Sequence, residues 1–178
     1  MQELAITVIG PDRTGIVADV AEALAGVGAN LTDSTMTRLR GHFAMTLICT
    51  GPSAEAAAAS LRPLAGVTTS VRPVEAETNP ADRGEPWVVS VHGADRLGIV
   101  AAVTRVVAAE GGNITDLSTR LVGTLYVLIA EVDLPAGKAD QLAERLAVAG
   151  AELGIDVTLR QADAAGRHLH RRDQVGGE

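Results

Sequence analysis

The chain has 178 residues, 47% hydrophobic but only 2% aromatic, and carries a net charge of −7 and a single cysteine. That length and hydrophobic share suffice for one medium core or two small ones, and the core must be aliphatic because Trp87, Tyr126 and Phe43 are the only aromatics. Acidity and the lack of stacking side chains argue against direct nucleic-acid binding, one cysteine excludes an internal disulfide or a cysteine-rich metal site, and no apolar run approaches the ~18 residues of a membrane span.

Glu3 interrupts the opening apolar run, so no secretory leader is expected and the expected location is the cytoplasm. Leu4, Ile6 and Val8 alternate with Ala5 and Thr7 and predict a strand over 3–9. Gly10-Pro11-Asp12 reads as a turn. A helix is expected from about Thr14 to Val27, because Ile16, Val17, Val20, Leu24 and Val27 recur at helical spacing and Gly26 and Gly28 end it. A second strand runs over 30–39, Arg40-Gly41-His42 turns, and a third strand covers 43–50. Cys49 alternates there with Phe43, Met45 and Leu47 and reads as a core thiol. Ser53 is placed to cap an alanine-rich helix over 54–62, which Pro63 limits, and a last strand follows over 68–74.

The order is β-α-β-β-α-β, and it occurs twice. Gly10, Asp12, Arg13, Gly15, Ile16 and Val17 recur as Gly93, Asp95, Arg96, Gly98, Ile99 and Val100, at a constant shift of 93 − 10 = 83. The same shift carries Asn30, Thr32 and Asp33 onto Asn113, Thr115 and Asp116. A repeat of this size means two copies of one small domain. Strands of the second copy are expected over 86–93, 113–121, 124–132 and 155–161, with helices over 98–110 and 136–150, the latter opening at Pro135. The expected organisation is a first domain over 1–75, a polar linker over 76–85, a second domain over 86–161, and a disordered tail over 162–178. The fold class is α+β: two ferredoxin-like units, each an antiparallel four-stranded sheet with both helices on one face. Side by side, the two copies would form one eight-stranded sheet. The opposite sheet face, with Ala5, Thr7, Ala44 and Thr46 in copy one and Val88, Ser90, Val127 and Ile129 in copy two, is apolar for a solvated surface. A partner or a second protomer is expected to cover part of it, so a homodimer is among the expected partners.

The repeated turn joins a strand end to a helix start, where backbone amides without internal partners carry partial positive charge. A carboxylate can dock there. Asp12 and Asp95 can accept from an ammonium group, and the Asn30 and Asn113 amides can donate and accept. Together these describe a receptor for a free amino acid. The same residues admit a second reading: an acid before a helix is a common N-cap, and Asn after Gly is a common helix end.

The pattern Gly-x-Asp-Arg-x-Gly-Ile-Val, a helix, then Gly-x-Asn-(Leu/Ile), inside β-α-β-β-α-β, resembles the ACT domain over about 3–75 and 86–161. The resemblance implies an amino-acid-sensing module. Two copies with no enzyme attached are similar to the glycine cleavage system transcriptional repressor group, whose members act through a partner regulator. By position, the ligand-binding residues implied are Asp12, Arg13, Thr14, Gly15, Asn30 and Leu31 in copy one, and Asp95, Arg96, Leu97, Gly98, Asn113 and Ile114 in copy two. In that family the turn of one copy faces the Asn strand of the other across a seam. Many members place proline before the motif's last glycine, where this chain has Thr14 and Leu97. With Pro11 stiffening its turn and the Thr14 hydroxyl at hand, copy one is the pocket expected to bind better.

Other polar residues point to no second chemistry. His42 and His92 read as surface or structural, and His168 and His170 lie in the tail. Arg38 and Arg40 read as solvated strand-end charges. Ser34, Thr35 and Thr37 lack the His–acid company of a nucleophile. Arg13 beside a helix start would suit phosphate in a small hydrolase, but Asp12 opposes an anionic substrate. The expected protein is therefore not an enzyme, needs no cofactor or metal, binds a small amino acid (glycine or serine), and acts through a transcription regulator or metabolic enzyme. The competing reading is a ligand-independent scaffold that assembles through its sheet face.

Overall fold

The computed structural model describes residues 3–75 and 84–162. The chain divides into two compact units, Met1–Thr78 and Asn79–Glu178. In the first unit, β1 (Glu3–Pro11), α1 (Ile16–Ala25), β2 (Asn30–Leu39), β3 (His42–Thr50), α2 (Ala54–Leu61) and β4 (Thr68–Val74) follow in order. In the second, β5 (Glu85–Ala94), α3 (Ile99–Ala109), β6 (Asn113–Val122), β7 (Leu125–Leu134), α4 (Ala139–Leu153) and β8 (Ile155–Gln161) repeat it. The sheets are antiparallel, with strand orders β2-β3-β1-β4 and β6-β7-β5-β8.

The strand ladders of the described residues form one four-stranded sheet in each copy. The central strands β1 and β5 are paired on both sides, and the edge strand β2 carries exposed Asp33 and Arg38, charges that discourage further strand pairing.

Each core lies between one sheet and its helices. Leu4, Ile6 and Val8 of β1 and Phe43, Met45, Leu47 and Cys49 of β3 meet Ile16, Val20 and Leu24 of α1 and Ala57 and Leu61 of α2. The counterparts of Ile6, Val8, Ile16, Val20, Leu24, Met45, Leu47 and Cys49 at the 83-residue shift are Val89, Val91, Ile99, Val103, Val107, Leu128, Ala130 and Val132, and all are buried in the second core. Burying each large aliphatic side chain contributes about 1.5–3 kcal/mol. The alternation expected along β1 is therefore the alternation of core and open face. Cys49 is fully buried.

Several boundaries move. β1 and β5 extend to Pro11 and Ala94, so Gly10-Pro11 belongs to the ladder and the turn starts at Asp12, whose N–H donates to the Gly41 carbonyl at 2.9 Å. Gly10 is glycine because a Cβ would sit 2.6 Å from the Gly66 carbonyl oxygen. α4 starts at Ala139 and not at 136, because Gly137 adopts φ 77° and Pro135 closes a separate turn with Lys138. Ser53 caps α2 as expected, accepting from the Ala56 N–H at 3.1 Å. The sequence reading did not foresee matched irregularities in β2 and β6. The registers shift between Leu31 and Asp33 and between Ile114 and Asp116, and the Thr32 and Thr115 hydroxyls donate to the Ile48 and Glu131 carbonyls. Residues 76–83 of the expected linker and 163–178 of the expected tail lie outside the described residues.

Candidate functional site

Glycine fixes the start of both repeated helices. Gly15 (φ 84°) and Gly98 (φ 89°) are left-handed at the N-caps of α1 and α3. A residue with a Cβ would lose about 1–2 kcal/mol there. Neither helix has a side-chain cap. The alternative that Asp12 and Asp95 serve as N-caps therefore does not hold. The first amides of both helices lack a side-chain acceptor, although the Ile16 N–H makes a long contact of 3.3 Å to the Arg13 carbonyl.

The two turns differ in their charges. In copy one, Arg13 ion-pairs with Asp19 in the first turn of α1, and Asp12 pairs with Arg38 of β2 at 3.4 Å. Arg38, read from sequence as a solvated strand-end charge, is exposed but reaches the turn. In copy two the residues at the places of Asp19 and Arg38 are Ala102 and Leu121. Among the described residues Asp95 makes no ion pair, and the Arg96 guanidinium lies beside Gly154, the C-cap of α4. The first turn of α3 holds no acid. Thr14 and Leu97 are both exposed, Leu97 completely.

Asn113 and Ile114 line a shallow concavity of about 570 Å³ with Ala101, Thr104, Arg105 and Ala108 of α3. The Thr104 hydroxyl is committed to its own helix, donating to the Val100 carbonyl at 2.8 Å. In copy one, Glu22 stands at the place of Arg105, so the same surface beside Asn30 and Leu31 has the opposite charge. The structure thus brings each turn group together and each Asn group together, but not one group to the other. They lie at opposite ends of α1 or α3, and an 11-residue helix separates its ends by about 16 Å. No free amino acid spans that. Sequence reasoning missed Arg38, Asp19 and Arg105 as residues that set the charge of these surfaces; their substitutions at the 83-residue shift were the available signal.

A second charged group also escaped it. Glu110, the C-cap of α3, is 4% exposed and pairs with Arg145 at 2.9 Å and Lys138 at 3.6 Å. Copy one has Val27 there. Among the described residues, no three His, Cys, Asp or Glu side chains converge as a metal site would need, and no helix is long and apolar enough to cross a membrane.

Two ferredoxin-like units, each opening its first helix on an uncapped glycine turn, define a duplicated small α+β module. The ACT domain family model matches residues 2–65 and 85–160, and the chain belongs to that family. It is 40% identical over 86 residues to a UPF0237 protein of Methanocaldococcus jannaschii, covering 47% of this chain and 94% of the relative. A UPF0237 protein of Methanopyrus kandleri is 41% identical over the same share. Such relatives are one copy long. An unknown protein from Galdieria sulphuraria matches in structure over 91% of this chain and 99% of its own, with TM-score 0.79 and 30% identity. A structure named as a candidate glycine cleavage system transcriptional repressor matches over 89% of this chain and 96% of its own, with TM-score 0.66 and 21% identity, a likeness of fold.

Proposed function

We propose that this protein is a non-enzymatic regulator that binds a small amino acid and acts through a partner protein. The observation that carries the reading is the twin turn: a left-handed glycine leaves the first helix amides uncapped beside an acid. Those amides suit a carboxylate and the acid suits an ammonium group. Asp12, Arg13, Thr14 and Gly15, and Asp95, Arg96, Leu97 and Gly98, are the proposed turn residues. Asn30 with Leu31 and Asn113 with Ile114 are the proposed complement. Because each complement lies a helix length from the turn of its own copy, a site using both draws on two copies.

Pro11 and Thr14 favour the first turn. Against that, Asp12 and Arg13 already have partners, and Asp19 places a negative charge where the ligand carboxylate would sit. Among the described residues Asp95 meets no such competition, so the second turn is proposed to fill first. Glycine or serine suits so small a turn. The partner is proposed to be a transcription regulator or a metabolic enzyme. Calorimetric titration of the ligand-free protein with the twenty amino acids tests the reading. Heat with a small amino acid is expected, and no heat with any of them would sink it.

A further inference from the structure

We infer that the open sheet face of the second copy pairs face to face with the same face of a second copy of this chain, about a two-fold axis lying in the interface plane. This goes beyond the amino-acid reading and does not rest on it, because that face is opposite the helices. Its middle carries an uncovered apolar strip among small polar groups: Ile129 is 44% exposed, Val88 and Val127 on either side of its row are half-buried, and Ser90, Ser118, Thr158 and His92 lie beside them.

The argument lies in the charges around that centre. Strand register places residues of β6, β7, β5 and β8 in rows across the sheet. One row begins with Asp116 and Glu131 at the β6 edge and ends with Arg160 at the β8 edge. The next open-face row, through Ile129 and Ser90, is uncharged. The row after it is reversed, with Arg120 at the β6 edge and Asp156 at the β8 edge. All five charged residues are exposed, and among the described residues none makes an ion pair. Asp116 and Glu131 are direct cross-strand neighbours, an unfavourable contact in a lone sheet that a facing cation relieves.

Such a pattern, acid and base alternating around four corners, is complementary to itself. A two-fold axis along the strands exchanges the edges and keeps the rows, so Asp116 meets Arg160 and Arg120 meets Asp156. A two-fold axis across the strands exchanges the rows and keeps the edges, so Asp116 meets Arg120 and Arg160 meets Asp156. Either satisfies the reciprocity that an isologous interface requires. Copy one keeps one charged row, Asp33 and Arg72, but has Thr37 and Thr68 where the second copy has Arg120 and Asp156, which is why the second copy is the one assigned. Four strands make a face of roughly 19 by 30 Å, and two such faces cover roughly 1,100 Å², near the lower limit of specific interfaces. The dimer should therefore be weak and sensitive to salt.

Sedimentation velocity of the full chain from low to high micromolar concentration tests this. A dimer that dissociates as salt rises is expected. The double variant Arg120→Glu with Arg160→Glu makes every corner acidic, and Asp116→Lys with Asp156→Lys makes every corner basic. Each alone should weaken dimerisation at least roughly tenfold, and an equimolar mixture should restore it as a heterodimer. Circular dichroism melts establish that the variants fold. A monomer at every concentration, a dimer that both variants leave unchanged, or a mixture that stays monomeric would overturn the proposal. Heat from an amino acid would persist in any of these cases, which separates this inference from the ligand reading.

Discussion

Arg38 of β2 reaches Asp12 of the first turn, Nη1 to Oδ2 at 3.4 Å, while the second copy has Leu121 where Arg38 stands. One substitution between copies thus decides whether the acid of the turn already has a cation. The effect on stability is small: Arg38 is 68% exposed, and exposed pairs contribute about 0–1 kcal/mol. The effect on an incoming ammonium group is direct. Arg38→Leu should leave the melting temperature nearly unchanged and strengthen binding at the first turn. Asp95→Asn should weaken binding more than Asp12→Asn, by roughly 10- to 100-fold, as expected for loss of a charge-assisted hydrogen bond. Calorimetry on the three variants checks the order, and equal losses at Asp12 and Asp95 would count against unequal sites.

Gly10 and Gly93, each next to last in β1 and β5, test how tightly each turn is seated. A Cβ at Gly10 would lie 2.6 Å from the Gly66 carbonyl oxygen, and one at Gly93 would lie 2.7 Å from Cγ2 of Ile155. The first obstacle is a backbone oxygen at the shorter distance, and the second is a methyl group with the Ile155 Cβ at 3.1 Å and Cα at 3.2 Å behind it. Gly10→Ala should cost more than Gly93→Ala within the range of about 1–3 kcal/mol for overpacking. Urea denaturation of both variants gives the comparison. The reverse order would mean that the 65–67 turn yields more readily than the Ile155 side chain.

Glu110 carries a prediction about asymmetry within one ion-pair group. Its carboxylate is 2% exposed, whereas Arg145 is 52% and Lys138 44% exposed. Removing Glu110 returns two cations to water, but removing Arg145 leaves a buried anion with only the longer Lys138 contact. Arg145→Ala should therefore destabilise by about 2–3 kcal/mol and Glu110→Gln by about 1 kcal/mol. Chemical denaturation measures both. A larger loss from Glu110→Gln would show that the carboxylate holds α3 to α4 by more than its own charge balance.

Burial pushes the Cys49 thiol above its ordinary pKa. Below the unfolded value of about 8.5, both states keep the proton and nothing is lost. As pH rises past it, the unfolded chain releases its proton first, and stability falls until pH passes the folded value. Cys49→Val copies the second core, where Val132 occupies that place, and removes this titration. Urea midpoints at about pH 7 and about pH 9.5 should fall further in the wild type than in the variant. Equal falls would show that other groups carry the alkaline loss.

The repeat, the element order and most of both cores were legible in the sequence. Residues such as Ile6 and Val89, or Val20 and Val103, hold the same place in both copies because period-2 and period-3.6 patterns are local properties of the chain. The left-handed cap was foreshadowed by the paired Gly15 and Gly98, but not that it displaces Asp12 and Asp95 from capping. That follows from β1 and β5 running on to Pro11 and Ala94, a matter of ladder length set by β3 and β7. The start of α4 was missed because Pro135 is a common helix opener, and Gly137 at φ 77° breaks that expectation.

What the sequence determined alone is therefore what neighbouring residues dictate: two copies, their strands and helices, and the paired glycines at which the two repeated helices begin. What only the tertiary structure decided is what meets across long stretches of chain. Arg38 meets Asp12 because β2 and β3 pair in one register, Arg145 meets Glu110 because α4 packs beside α3, and Asp116, Arg120, Asp156 and Arg160 take the corners of one face because four strands align. Register and packing select these pairs from many that the composition allows, and charge acts only over the few ångströms that they set.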